Sequence, residues 1–392
     1  MKTKLIKIYL ADIGEVITGN TPPTSDRHLY NGKYPLIMPT DMVEGEKYIG
    51  TTAETISEEG FRKYKKNLLP KNTPCVVTIG SIGKKLCMTK EPSFTNQAVN
   101  AIRVDETKFD STFIFYLLKY NLPQVKYLSN GTASGRENVS KSSFSKIKVI
   151  LPENIYVQKK IANILSSYDQ LIENNKKRIK LLEEMAEEIF KEWFVRLRFP
   201  GHEDTKIIDG LPEGWEKVKL SSFCTFPYGS MPIDKNENLS LEFPYEIQSG
   251  HGCKGYTSQN NIEEPTIIIT VRGSVGRVEI MYEKCWVTNL AVITKYSSKC
   301  KSIHFLYHEL KNKNLEWLNT GSAIPQITSG NLGFVKITLP EHKIQIEFEN
   351  LISPFYKEIQ VLNKKIELLK QTQELLLPRL ISGKLSVEHL ID

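Results

Sequence analysis

Apolar positions recur at alternating steps of four and three along two stretches of this chain. In the first, Ile161, Leu165, Tyr168, Ile172, Asn175, Ile179, Leu182, Ala186, Ile189 and Trp193 form one heptad seam with charged residues between. Shifted by 187 residues, the spacing returns as Phe348, Ile352, Phe355, Ile359, Leu362, Ile366, Leu369, Gln373, Leu376 and Leu380. A single amphipathic stripe is common on core helices. Two in one register, each closing one half of the chain, predict two long helices that lie on each other. Asn175 and Gln373 are the polar members of the two seams, and a buried amide there costs stability while fixing register or orientation. They sit at different heights, so they are not expected to face each other. Serine caps and first-turn proline predict rods starting after Ser166-Ser167 and at Ser353-Pro354. Proline also predicts their ends, before Pro200-Gly201 and before Pro378.

The stretches outside the rods repeat as well. Lys7-Ile8-Tyr9-Leu10 answers to Lys217-Val218-Lys219-Leu220, and Gly19-Asn20-Thr21-Pro22 to Gly229-Ser230-Met231-Pro232. Gly80-Ser81-Ile82-Gly83 matches Gly273-Ser274-Val275-Gly276, and Thr95-Asn96 matches Thr288-Asn289, both at an offset of 193. Gly131 answers to Gly321, and Leu151-Pro152-Glu153 to Leu339-Pro340-Glu341. Matches in one order, with gaps confined to loops, mean an internal duplication and predict a pseudo-twofold repeat. The chain divides into a globular part over 1–152, a helical region over 153–200, a second globular part over 201–340 and a second helical region over 341–392. Short β-rich runs between glycine turns (75–79, 99–104, 266–271) alternate with helical runs at 111–120 and 302–311, so each globular part is expected to be a compact α+β domain. Ser140 and Thr328 are placed to cap a short helix late in each.

At 392 residues the chain is too long for one ordinary domain. It contains no apolar run of transmembrane length, and its start lacks a signal-peptide core. Six scattered cysteines with no Cys-x-x-Cys read as reduced thiols. A cytoplasmic protein fits best. The formal charge of +7 is uneven: residues 1–152 hold 22 Lys+Arg against 14 Asp+Glu, whereas residues 199–340 hold 14 against 15. The first globular part therefore suits a polyanion, and the second needs a local basic patch to do the same work.

No catalytic constellation emerges. Gly80-Ser81-Ile82-Gly83-Lys84-Lys85 lacks the spacing and the trailing hydroxyl of a phosphate loop. Asn20-Thr21-Pro22-Pro23 has no aromatic to stack a target base and no methyl-donor loop with it. Asp41, Glu44 and Lys47 do not have the spacing of a metal-dependent nuclease. Cys300, His304 and His308 recur on one helix face but lack further ligands, so packing is the preferred reading there and at His251-Gly252-Cys253. What remains is a binding device. A 33-residue helix measures roughly 50 Å at about 1.5 Å per residue, on the order of 14 base pairs at about 3.4 Å each.

The order of these parts, with Asp209-Gly210-Leu211-Pro212-Glu213-Gly214-Trp215, Phe190-Lys191-Glu192-Trp193-Phe194 and the terminal Pro378-Arg379-Leu380-Ile381-Ser382-Gly383-Lys384, resembles the specificity subunit of type I restriction–modification systems (HsdS) over essentially the whole chain. The resemblance implies a non-catalytic subunit in which two target recognition domains each read one half of a split double-stranded DNA site. The long helices would pair antiparallel as a coiled-coil spacer and dock two modification (methyltransferase) subunits, with restriction (translocase/nuclease) subunits joining. The chain itself would hold no cofactor and no metal; S-adenosylmethionine and ATP with Mg would belong to the partners, and no membrane is involved. Pairing and docking would fall to Ile161, Leu165, Ile172, Asn175, Ile179, Leu182, Ile189, Trp193, Ile352, Phe355, Ile359, Leu362, Ile366, Leu369 and Leu376. Exposed residues beside the seam, Trp193 and Phe194, suggest a need for those partners.

Two domains that read different half-sites should share scaffold and differ where bases are read. Shared glycines and Asn96/Asn289 are therefore poor candidates, and a turn-capping role suits the asparagines. The diverged stretch is Ser134-Gly135-Arg136-Glu137-Asn138 in one copy and Ile324-Pro325-Gln326 in the other. Arg136 suits guanine, and Asn138 or Gln326 adenine, against the plainer reading of a solvated loop. Lys84, Lys85, Lys141, Lys254, Arg272 and Arg277 are candidate phosphate contacts, with a solvated surface as the alternative for the lysines. Arg272 and Arg277 stand out because residues 199–340 contain no other arginine. Two other function classes stay open at this point: a fused methyltransferase or nuclease, and a two-domain adaptor with no DNA role.

Overall fold

A computed structural model describes residues 4–131, 137–250, 252–320 and 325–387. The chain forms two compact units, one of Met1–Lys176 with Asn363–Asp392, the other of Lys177–Leu362. Among the described residues no helix is long and apolar enough to cross a membrane.

Both units are built alike. The first has a four-stranded antiparallel sheet in the order Gly14–Thr18, Val99–Val104, Pro74–Val77, Leu86–Met88. The second repeats it as Cys224–Thr225, Ala291–Tyr296, Thr266–Thr270, Val278–Met281. Each also has a three-stranded sheet and a two-stranded pair that leads into a long helix, Leu5–Tyr9 with Lys148–Pro152 and Glu216–Lys219 with Lys336–Leu339. A helix packs on each four-stranded sheet, Ser111–Tyr120 capped by Asp110 and Ile303–Asn312 capped by Ser302. The predicted α+β class, the strands and the caps at Ser140 and Thr328 are as the patterns indicate. Ser140 accepts from the Ser143 amide at 3.1 Å, and Thr328 from the Asn331 amide at 3.2 Å.

The long helices are Ile155–Phe190, followed by a π-turn at Lys191–Val195, and His342–Ile381. Both start before the predicted caps, and the second runs through Pro354 and Pro378. The reasons are local. Ser166 and Ser167 hydroxyls donate to the carbonyls of Asn163 and Ile164 within the helix at 3.2 and 2.7 Å, so neither caps it. Pro354 and Pro378 lie on the exposed face, where water can satisfy the freed carbonyl one turn back. The early turns are held by a buried glutamine in each copy. Gln158 donates to Pro152 O at 2.8 Å and accepts from the Asp110 amide at 3.0 Å. Gln345 donates to Pro340 O at 2.7 Å and accepts from the Lys301 amide at 2.7 Å.

In the first unit, Ile161, Ala162 and Leu165 share one core with Leu377, Leu380 and Ile381 and with Phe113 to Leu118. Gln373 is buried there, donating to Leu165 O at 3.0 Å and to Asp169 at 2.6 Å. Asn175 is only half-buried. Asp169 also accepts from the Tyr116 hydroxyl and faces the buried Lys47 ammonium at 3.9 Å. Burial pushes the Lys47 pKa down, opposed by Asp169 and Asp110.

In the second unit, Ala186 and Phe190 pack with Phe348, Ile352 and Ile359. Arg178 pairs with Glu358 at 2.8 Å and the Trp193 ring lies 5.7 Å from Phe348, so numbers rise along one helix as they fall along the other. Trp193 and Phe194 are not exposed as expected; Phe348, Phe305 and Trp215 cover them. His304 and His308 face the second long helix. His304 Nδ1 meets Glu349 at 2.8 Å and Nε2 meets the Tyr282 hydroxyl at 3.0 Å, while His308 Nε2 meets the Tyr356 hydroxyl at 2.9 Å. The Cys300 thiol points to Ser302 O. Burial pushes the Glu349 carboxyl up, but hydrogen bonds and charge from His304, with the Ser302 hydroxyl, outweigh it and hold the group low. Burial drives His308 down to about 3.

Tyr116→Phe should cost about 1.5–3 kcal/mol, because it removes a donor to a carboxylate that stays largely buried; hydrogen exchange should show the loss in the first unit only. The unfolded chain takes up the His308 proton near pH ~6.5 and the folded chain only near 3. The second unit should therefore lose stability as pH falls below ~6.5, by up to ~1.4 kcal/mol per pH unit. The Glu349 contribution should be lost only lower, as pH falls through its depressed folded value. Urea midpoints between pH 7 and 5 should show this slope, and His308→Gln should flatten it.

Candidate nucleic-acid interface

In each unit a glycine turn closes the hairpin between the two last strands of the four-stranded sheet. In the first it runs from Gly80 to Lys85, in the second from Gly273 to Arg277. Gly80 and Gly83 have φ of +86° and +74°, and Gly273 and Gly276 +79° and +82°. Side chains with a Cβ rarely adopt that conformation, so the shared glycines are backbone requirements. The turn joins antiparallel strands and opens no helix, which removes the phosphate-loop geometry.

A segment distant in sequence lies against each turn. The Val139 amide donates to Thr78 O at 2.9 Å, and the Ile327 amide to Val271 O at 3.0 Å. As a result Ile79 pairs with Asn138 and Arg272 with Gln326 in isolated antiparallel bridges. The structure thus brings together Arg272 with Gln326, and Ile79 with Asn138, at equivalent turns. Asn138 belongs to Glu137–Asn138, paired with Asn130–Gly131. The Gln326 amide donates to Asn319 at 2.8 Å. In the second unit the turn is tied down by Thr270, whose hydroxyl donates to Ser274 O and accepts from the Arg277 amide.

The candidate cations differ in how free they are. Lys84, Lys141, Lys254 and Arg272 are exposed, Lys141 at the first residue of the helix Lys141–Ser145 and Lys254 in the strand Gly252–Thr257. Lys85 is half-buried and donates to Pro39 O at 2.9 Å, so the carbonyl holds its ammonium. Arg277 pairs with Glu279, which competes with any phosphate. Arg136 and His251 lie outside the described residues. The Asn96 side chain accepts from the Ala98 amide at 3.1 Å, a turn cap. Among the described residues no group of three or more His, Cys, Asp or Glu is placed to hold a metal ion.

Of the seam residues, Ile161, Leu165, Ile172, Ile352, Ile359, Leu362 and Ile366 are buried. Ile179, Leu182, Ile189, Trp193, Phe355, Leu369 and Leu376 are half-buried. Sequence reasoning passed over Ile79, although the offset of 193 places it at Arg272, beside a shared glycine. The meeting of Lys47 with Asp169 and Tyr116 was not legible either, because it arises only through tertiary folding. The paired glutamines were within reach, since the seam offset of 187 carries Gln158 onto Gln345.

Comparison with known proteins agrees with this duplicated construction. The family described as "Type I restriction modification DNA specificity domain" matches residues 6–184 and again 212–371. The MjaIX type I restriction enzyme specificity subunit of Methanocaldococcus jannaschii is 28% identical over 411 residues, 97% of this chain and 93% of that protein. The HindI specificity subunit of Haemophilus influenzae is 34% identical over 173 residues, 43% of this chain and 37% of its own length. A solved type I restriction–modification S subunit from M. genitalium shares the fold, with a TM-score of 0.63, 19% identity and coverage of 97% and 96% of the two chains. Two family matches, one on each copy of the hairpin-and-bridge construction, cover most of the sequence: the chain belongs to the specificity subunits of type I restriction–modification systems, the non-catalytic components that recognise DNA sequence.

Proposed function

We propose that each unit reads one half of a bipartite double-stranded DNA site, and that the paired helices set the gap and dock two modification subunits. The observation that carries the reading is the equivalence of the two bridges: one backbone arrangement with different side chains, as two different half-sites require. Lys84, Lys141 and Lys254 are assigned to phosphates, which fix register without reading sequence. Lys85 and Arg277 reach phosphate only by giving up the partners described above. The assignment of Arg136 to guanine stands on sequence alone. The excess of lysine in residues 1–152 supports the polyanion, and the near-neutral second globular part relies on its local patch.

Leu171, Leu181, Met185, Val361, Leu368 and Leu375 are exposed apolar residues on the long helices. They are the proposed footing for the modification subunits, together with the half-buried seam members. Restriction subunits would join that complex, in the cytoplasm. In this reading S-adenosylmethionine, ATP and Mg are used by the partners, and this chain supplies the address.

A two-domain adaptor without a DNA role has one observation in its favour, the 14 Lys+Arg against 15 Asp+Glu of residues 199–340. Methylome sequencing of cells expressing this chain with its modification subunit separates the two. The expected result is one new methylated motif of two short specified halves around a fixed gap. Replacing residues 1–152 with another recognition domain should then change one half only. A soluble complex with active methyltransferase and no new motif would favour the adaptor.

A further inference from the structure

We infer that Ile79 with Asn138, and Arg272 with Gln326, are the base-reading pairs of the two units. This rests on the DNA-reading function proposed above and names the residues that would do it.

The two bridges are the same in backbone. Thr78 and Val271 precede Ile79 and Arg272, Val139 and Ile327 follow Asn138 and Gln326, and all four flanking residues are buried at 2% exposure or less. Strand side chains alternate between faces, so the bridge residues point the opposite way, to the surface. Arg272 is exposed, and Ile79, Asn138 and Gln326 are partly so. Opposed side chains of an antiparallel pair stand on one face about 5 Å apart, against ~3.4 Å between stacked bases. Each bridge therefore presents two neighbouring side chains at a spacing that suits two neighbouring base pairs.

The chemistry at these positions diverges while the scaffold around them repeats. Arginine grips guanine through O6 and N7, glutamine and asparagine grip adenine through N6 and N7, and an aliphatic group contacts the thymine methyl. The second unit would read a guanine beside an adenine, and the first a thymine methyl beside an adenine. Arg272 suits the task better than Arg277, the other arginine of residues 199–340, because Arg277 is paired with Glu279. This moves Arg272 from the phosphate contacts to the base contacts.

The test uses the full complex with its modification subunits and reads methylated motifs genome-wide for Arg272→Ala, Arg272→Lys and the double change Ile79→Arg with Asn138→Gln. Arg272→Ala should relax a guanine position in one half, with roughly 5- to 150-fold loss of discrimination there. The other half and the gap should be unchanged, which also reports that the chain has folded. Arg272→Lys should relax the same position, because it keeps the charge but loses the two-point grip. The double change should alter the other half only, towards a guanine. Unchanged motifs would overturn the inference. So would uniform weakening by Arg272→Ala with no relaxed position and full recovery in Arg272→Lys, the signature of a phosphate contact. If the unaltered complex yields no two-part motif, the DNA-reading function fails first and this inference with it. A two-part motif insensitive to all three variants sinks the inference alone.

Discussion

Each unit depends on burying a seam between two long helices within the same core that supports its sheets. In the first unit, Ile161, Leu165, Leu377 and Leu380 are continuous with Phe113 and Tyr116 of the sheet-packed helix. In the second, Phe190, Phe348 and Ile352 are continuous with Phe305 and Leu306. Burying one such aromatic or aliphatic side chain contributes about 1.5–3 kcal/mol. A sheet therefore cannot slide along its helix without opening the seam as well. Polar groups sharpen this constraint. Asp169 collects Tyr116, Gln373 and Lys47 in one unit, and Glu349 collects His304 and Ser302 in the other. A shift of one helical turn would leave a buried charge without its partner, at a cost well above that of an apolar misfit.

The two networks are both pairs of a carboxylate and a basic side chain with tyrosine, but they use different residue types. A Lys–Asp pair with a tyrosine serves one unit, and a His–Glu pair with tyrosines serves the other. The seam alone gives pairing without a unique register, since apolar side chains substitute for one another with little penalty. Distinct polar partners remove that degeneracy, as a single buried amide does in a coiled coil. Gln373 plays this part here. Asn175, half-buried, does not have the same burial behind it.

Periodic features were legible in the sequence because period is a local property. The heptad seams, the duplicated strands and the caps at Ser140 and Thr328 all follow from spacing and turn chemistry. Helix ends were not legible, because Gln158 and Gln345 hold the early turns through groups from another element. Proline at 354 and 378 misled for the same reason: its cost depends on which face it occupies, and only the fold decides that. Trp193 and Phe194 looked exposed because Trp215 and Phe348, which cover them, lie 21 or more residues away in the chain. The candidate interface was legible as a neighbourhood and less so as a set of free cations. Lys85 and Arg277 read as available charges, while Pro39 O and Glu279 occupy them.

A subunit that recognises DNA sequence can vary in side chain without changing its fold only at positions where substitution is cheap for packing. Buried bridge neighbours such as Val139 and Ile327 do not qualify, since a lost methylene or a misfit there is felt throughout the core. Exposed side chains on a backbone held from both sides do, because surface changes cost within about 0.5 kcal/mol. The bridge at each glycine turn has such a backbone, and its outward side chains are exposed at Arg272 and half-buried at Ile79, Asn138 and Gln326. Its geometry comes from main-chain hydrogen bonds and glycine conformations, none of which depends on whether the outward residue is isoleucine or arginine. Duplication of such a frame lets its two copies diverge in side chain alone, while the long helices keep one construction.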